Sequence, residues 1–301
     1  MSRKAVFLGM ATIDFIGTVR HLPAPDEVFE LDRFDVQGGG PAATAAVAYS
    51  RLGGHAQFIG ATGTDQLSHT IRQGLEDEGV DVSLLSQDAS GKSPQAIILV
   101  DRTSGSRSIM YQRGTARPPG FNRDLAATIE TAGALHLDGF HTNLAIDAAR
   151  HARSIGVPVS LDGGAGDPWP GLDELLPLID WLVVARAFAQ RQTGLADPEA
   201  AARELHADTV VITDGANGAW YRRGSSAGHV PAYRVEVQDT TGAGDVFHGA
   251  FVHAKLTGMN LPDAVRFASA TAALKCRQLG GRAGIPSLTE VNQFITRQAA
   301  H

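Results

Sequence analysis

One cysteine, Cys276, in 301 residues excludes an internal disulfide framework and any metal site built on clustered thiolates, and it suits a reducing compartment. No basic block offsets the formal net charge of −6, so neither nucleic acid nor an anionic membrane is the expected partner. No uninterrupted apolar run reaches the roughly 18–20 residues needed to cross a bilayer. The opening Met1-Ser2-Arg3-Lys4 leads into a short apolar run, Ala5 to Leu8, that meets Asp14 without a small-residue cleavage pattern. A first strand is expected there, not a signal peptide. Repeats of 20 to 50 residues, low-complexity tracts and long linkers are absent too. The expectation is a cytoplasmic protein acting on a small molecule, with a chain long enough for one large α/β domain or two small ones.

What is present alternates. Apolar runs at Ala5–Leu8, Gln57–Ile59, Ala134–Leu137, Val157–Leu161, Trp181–Val184 and Thr209–Ile212 read as buried strands separated by helical patterns, the signature of a parallel sheet covered by helices. Leu67, Ile71 and Leu75 mark one amphipathic helix, and Ala264, Val265, Ala268 and Ala272 mark another. Two stretches, 15–37 and 95–112, break this rhythm with alternating residues and turn signals. Strands without intervening helices, making a small accessory sheet, are expected in both.

The densest chemistry lies in Asp239-Thr240-Thr241-Gly242-Ala243-Gly244-Asp245. Val246, Phe247, Ala250, Phe251 and Ala254 follow at helical spacing, so a helix begins near Gly244. Its first N–H groups have no internal partner and lie at the positive end of the helix dipole, which favours a phosphate oxygen. Gly242, Ala243 and Gly244 allow close approach. Asp245, in the first turn, places a carboxylate where a hydroxyl attacking phosphorus would release its proton.

Four other segments carry weaker signals. Gly38-Gly39-Gly40-Pro41-Ala42-Ala43-Thr44 reads as a glycine turn feeding a small-residue helix. Asp14 follows the first strand and Gly9, where open α/β sheets bind ligands. Val210-Val211-Ile212-Thr213-Asp214-Gly215-Ala216-Asn217-Gly218 is a buried strand ending in a hydroxyl and a glycine turn. His136, His141 and His248 lack metal-ligand spacing, and no metal is assigned to them.

The run from Asp239 through Val246-Phe247-His248-Gly249-Ala250 closely resembles the C-terminal signature of the ribokinase/PfkB family of carbohydrate and nucleoside kinases, and the glycine segment at 38–46 resembles its N-terminal signature. The resemblance covers nearly the whole chain. It implies a ribokinase-like three-layer α/β/α fold over residues 1–301, with a mostly parallel central sheet and a small β-sheet lid built within 15–37 and 95–112 that also serves a homodimer. It implies ATP and Mg2+, with Asp245 as catalytic base and the Gly242, Ala243 and Gly244 amides as anion hole. Asp14, Gly39, Gly40 and Thr44 take the sugar-binding positions, Thr44 standing where the family has Asn. Thr213, Gly215 and Gly218 take nucleotide positions, and Ala272, Ala273 and Cys276 lie at the adenine pocket. Asp239 and Thr241 take the positions of a monovalent cation site, K+ in the family, although Gly284 replaces a serine near it. The family's Asn-x-x-Glu, which organises magnesium and phosphates, is Ala185 and Phe188 here, with Arg186 between them.

Within the family, the Gly280-Gly281-Arg282-Ala283-Gly284-Ile285-Pro286 ending looks most like the sulfofructose kinase branch. Val28, Met110 and Phe140 occupy the positions of its sulfonate-binding groups, and three apolar side chains do not compensate a sulfonate's desolvation. A neutral sugar, a ketose or pentose, is therefore expected. Arg107 and Arg113 keep a phosphosugar or sulfosugar as an alternative, beside a nucleoside. A non-catalytic sugar or nucleotide sensor is the alternative of another class.

Overall fold

All six apolar runs read as strands are strands, and they lie side by side. The computed structural model describes residues 4–103, 106–164 and 168–299; residues 104 and 105, inside the second irregular stretch, lie outside the described residues. The first half contains β1 (Lys4–Leu8), β2 (Thr12–Val19), β3 (Arg33–Gly39), α1 (Pro41–Arg51), β4 (His55–Thr62), α2 (Gln66–Glu76), β5 (Asp81–Gln87), β6 (Gln95–Asp101) and β7 (Arg107–Gln112). Then come α3 (Arg123–Glu130), β8 (Ala134–Leu137), α4 (Thr142–Ser154), β9 (Val159–Asp162), α5 (Leu172–Leu175), β10 (Trp181–Ala185), α6 (Arg186–Thr193), α7 (Pro198–Glu204) and β11 (Thr209–Thr213). The chain closes with β12 (Ala219–Arg223), β13 (Ser226–Val230), α8 (Ala243–Leu256), α9 (Leu261–Lys275) and α10 (Leu288–Ala299).

The nine-stranded sheet has the order β13-β12-β11-β10-β9-β8-β1-β4-β5. Every pairing from β11 to β5 is parallel, and the β12–β13 hairpin adds two antiparallel strands at one edge. Alternation along each strand sorts the cores: Ala5 and Phe7 face the layer holding α1, α2, α8, α9 and α10, while Val6 and Leu8 face the layer holding α3 to α7. The three-layer α/β/α expectation is met. Chain order reverses between β1 and β8, which creates a crevice beyond their carboxyl ends.

Helix packing on one face brings two distant glycine segments together. A Cβ on Gly249 would lie 2.2 Å from the carbonyl oxygen of Ala45, so only glycine lets α8 press this closely on α1. Both helices then point their amino ends at the crevice. Pro41 occupies the first turn of α1, where its missing N–H costs nothing.

β2, β3, β6 and β7 form a separate four-stranded sheet in the order β3-β2-β6-β7. It is the small sheet expected from the two irregular stretches, but it begins at Thr12, so Asp14 sits inside a strand. Its inner face, with Ile16, Ala96, Ile98 and Val100, packs on Leu279. Its outer face leaves Phe34, Val36, Ile97 and Met110 about half exposed. Among the described residues no helix is long and apolar enough to cross a membrane.

Candidate active site

α8 starts one residue before the expected Gly244. Gly242 caps it with φ 73°, and a Cβ there would lie 2.8 Å from the Gly281 carbonyl oxygen. A left-handed backbone and a tight neighbour both demand glycine. The Ala243 N–H turns back to the Thr240 carbonyl at 3.2 Å, while the first-turn amides behind it have no partner within the helix.

Asp245 is partly buried in that first turn. Burial pushes its carboxyl up, the Asp162 and Asp14 carboxylates push further, and His248 and Arg107 oppose them; the result is about 7. Such a group is half-charged near neutrality, as a base that must both take and release a proton should be.

One turn along α8, His248 is buried and its Nε2 lies 3.3 Å from Asp162 Oδ1 at the carboxyl end of β9. The same oxygen accepts the Gly164 N–H at 2.7 Å. Burial alone would raise Asp162, yet His248 and the Gly164 amide outweigh it and hold the carboxyl at about 2. Two neighbouring carboxyls are thus driven apart, one kept charged and one poised, which is how a site separates roles among like groups. The His136 ring lies 5.2 Å from the His248 ring, tilted by 43°, and is pushed down to about 3, chiefly by burial. Sequence patterning assigns His248 no role; its three-residue spacing from Asp245 is the signal that it shares that face.

The sugar-position residues meet across the crevice mouth. Asp14 Oδ1 accepts the Thr12 hydroxyl at 2.6 Å, and burial raises the Asp14 carboxyl while Thr12 and Arg282 oppose the shift. Gly38 and Gly39 are extended residues of β3, and only Gly40, at φ 90°, is a turn glycine. Their missing side chains leave room for neighbours: a Cβ on Gly39 would lie 2.1 Å from Asp14 Oδ2, and one on Gly38 2.1 Å from Arg282 Nη1. Arg282, which the sequence reading noted only inside a motif, is 5% exposed. It donates to the Gly39 carbonyl at 2.7 Å and reaches the buried Thr44 hydroxyl at 3.4 Å. Asp138, also missed, sits at the switch point, where it accepts the Met10 N–H at 2.8 Å, the Ala42 N–H at 3.2 Å and the Phe140 N–H at 2.9 Å. Burial lifts its carboxyl to about 6 against those three donors.

The nucleotide-position residues lie farther along the same sheet end. Thr213 closes β11 with its hydroxyl 3.4 Å from the Val184 carbonyl. Gly215 has φ 51° with open space around it, whereas a Cβ on Gly218 would lie 2.1 Å from the Val230 carbonyl oxygen, so Gly218 is required by the β12–β13 hairpin itself. Arg186 is bonded to Asp214 at 2.9 Å and to the Ala196 carbonyl at 3.1 Å. Ala272 and Ala273 flank the end of α9, and the Cys276 carbonyl accepts the Gln238 and Asp239 N–H groups at 2.9 and 3.2 Å. Phe188 is 1% exposed in the core, and no cluster of three metal-ligating side chains exists among the described residues.

Asp239 is fully buried. Its Oδ1 accepts the Thr241 N–H at 2.8 Å and the Thr241 hydroxyl at 2.7 Å, and its Oδ2 accepts the Gly280 N–H at 2.8 Å. From the small sheet, Arg107 Nη1 donates to the Thr240 hydroxyl at 2.7 Å, joining that sheet to the loop before α8. Two surface hollows of about 440 and 270 Å³ lie at the opposite end of the sheet, around Arg222 and Asp180, and contain none of these residues.

Comparison with known proteins agrees with this arrangement. Residues 2–288 match the pfkB family carbohydrate kinases. A ribokinase of Staphylococcus aureus is 30% identical, with 97% of this chain and 100% of the relative covered. A probable fructokinase-4 of Arabidopsis thaliana is 28% identical, covering 96% of each. The solved structure of Arabidopsis thaliana ribokinase complexed with ribose and ATP superposes with a TM-score of 0.87 at 26% identity, over 98% of this chain and 99% of that one. The ribokinase-like fold, the helix-end glycine loop and the match over almost the entire length together show that the chain belongs to the pfkB family of carbohydrate kinases.

Proposed function

We propose that this carbohydrate kinase transfers the terminal phosphoryl group of ATP to a hydroxyl of a neutral sugar, a ketose or pentose. The observation that carries the reading is Asp245 in the first turn of α8, raised to about 7 beside the Gly242–Gly244 anion loop. In this reading Asp14, Gly39 and Gly40 seat the sugar, with Arg282 fixing Gly39 and Thr44 behind them. Asp245 takes the proton of the hydroxyl as its oxygen bonds to phosphorus, and ADP leaves with the electrons of the broken bond. The α8 amides take up the charge that develops on the transferring group. Thr213 and Gly215 take the nucleotide phosphates, and Ala272, Ala273 and Cys276 border the adenine. Mg2+ enters with the triphosphate as part of the substrate, because Ala185 and Phe188 offer it no ligand and the ion retains much of its water.

The small sheet acts as the lid of a single domain. Its outer face aligns Phe15 with Val36 and Ile97, and Ile97 with Met110, giving an apolar patch that we assign to a homodimer contact. The lone buried Cys276 suits the cytoplasm.

An anionic sugar is the second reading, favoured by Arg113 over the Phe140 ring at 4.8 Å. In the neutral-sugar reading, likeness to the sulfofructose branch is a likeness of scaffold and not of substrate. Incubation of purified protein with ATP and a panel of neutral and anionic sugars, with ADP release recorded, tests both. Turnover of neutral sugars is expected; turnover of anionic sugars alone replaces the first reading with the second, and no turnover overturns the kinase assignment.

A further inference from the structure

Lys275 ends α9 with 0% exposure, and its Nζ donates to the Asp239 backbone carbonyl at 3.1 Å. An ammonium is buried at tolerable cost only beside a negative partner. Burial pulls the pKa of the Lys275 ammonium down, and the charge of Asp239 and the end of the α9 dipole oppose that pull. The same stretch binds the loop start twice more, through the Cys276 carbonyl that accepts the Gln238 and Asp239 N–H groups. Arg107 is the other cation acting on Lys275, while Asp239 and Asp245 are the carboxylates acting on it.

The monovalent cation implied by the family resemblance does not fit these residues. Both oxygens of the Asp239 carboxylate are already occupied by three donors, and the Asp239 carbonyl is taken by Lys275. Where the family has a serine, Gly284 is packed so tightly that a Cβ would lie 2.4 Å from the Lys275 carbonyl oxygen. A free cation would also have to settle against an ammonium, and like charges in a dry pocket repel strongly.

We propose that the Lys275 ammonium is a tethered cation that replaces the monovalent ion, holding the Asp239–Gly244 loop in its anion-accepting shape so that turnover needs no K+. This rests on the kinase reading of that loop. Lys275 touches no reacting atom and is a positioning residue. An ion in solution must bind before the loop is set, whereas a charge fixed to α9 is present as soon as the chain has folded.

The test compares turnover in buffer whose only monovalent cation is tetramethylammonium with turnover after addition of K+, ammonium, Na+ or Li+. Wild-type kcat and KM should change less than about twofold, and its melting temperature should not respond specifically to K+ or ammonium. Lys275→Ala opens a cation-sized space: kcat should fall about tenfold or more with sugar KM little changed, and K+ or ammonium should restore both rate and melting temperature. Lys275→Met fills the space without charge, so it should be slow and beyond rescue. The proposal is overturned by a wild type that needs K+, by an Ala variant at full rate without added cation, or by an Ala variant that K+ and ammonium leave slow. If neither variant folds, the wild-type series decides alone. A wild type with no turnover under any cation overturns the kinase reading instead, and its melting-temperature response to K+ still decides whether an ion site exists.

Discussion

The loop before α8 and the small sheet face each other across one crevice, yet they are built on opposite principles. The Asp239 side chain and carbonyl are enclosed and cross-bonded by two short stretches of chain, Asp239–Thr241 and Lys275–Gly280. The small sheet is anchored at its inner side by Leu279, Gln37 and the Ile13 end of β2, and it leaves a half-exposed apolar face outward. Fixed charges and amides that must meet a developing phosphate gain from rigidity, because preorganised groups need not reorient during reaction. In the proposed reading the small sheet is a cover that must admit and release sugar, which a sheet with one face open to solvent does more readily than an enclosed loop. Chemistry should therefore fail sharply when the loop is altered, and binding should fail gently when the sheet is.

Asp245→Asn gives the largest effect: kcat down about 10³–10⁴-fold with ligand affinities changed only a few-fold, by single-turnover kinetics and calorimetry. The same variant sharpens the linkage. A carboxyl raised in the fold above its unfolded value contributes stability that is complete below pH about 4 and is lost as pH rises through about 7. The Asn variant should therefore melt above wild type at pH 8, with the gap closing toward pH 5. Gly242→Ala meets both the positive φ and the Gly281 backbone, and it should lower kcat about 10²-fold with a stability loss of about 1–3 kcal/mol by urea unfolding. Arg107→Ala removes the bond to Thr240 and should cost about tenfold in kcat/KM, most of it in KM. If the loss appeared only in kcat, Arg107 would belong to the rigid side of the comparison. Phe34→Glu with Ile97→Glu should leave monomers by light scattering while changing kcat less than about threefold; an unchanged oligomeric state would remove the outer face from any dimer.

The rigid half was the more legible in sequence because its signals are local. Hydroxyls, glycines and carboxylates lie within seven residues, and the apolar stripe behind them announces the helix that carries them. The six central strands were legible for the same reason, being short apolar runs. β5, β12 and β13 were not: β5 is an edge strand with only one face buried, and the half-exposed hairpin lacks a long apolar run, so neither stands out from loop. Arg282 and Thr44 are 238 residues apart in the chain, and no local pattern joins them. His248 comes within 3.3 Å of Asp162 only because the carboxyl end of β9 and the amino end of α8 meet above the sheet. Thr44, at a sugar-binding position by resemblance, is 1% exposed in α1 with Arg282 beside it, a burial that the small-residue helix pattern does not announce.

The pH dependence of kcat with a turned-over sugar, for wild type beside Asp162→Asn, addresses the central claim most directly. Rate should rise through a single ionisation near pH 7 as Asp245 loses its proton, and the midpoint should move to lower pH when the Asp162 charge is removed. A profile flat from pH 5 to pH 9, or a midpoint that ignores Asp162, would contradict Asp245 as the base.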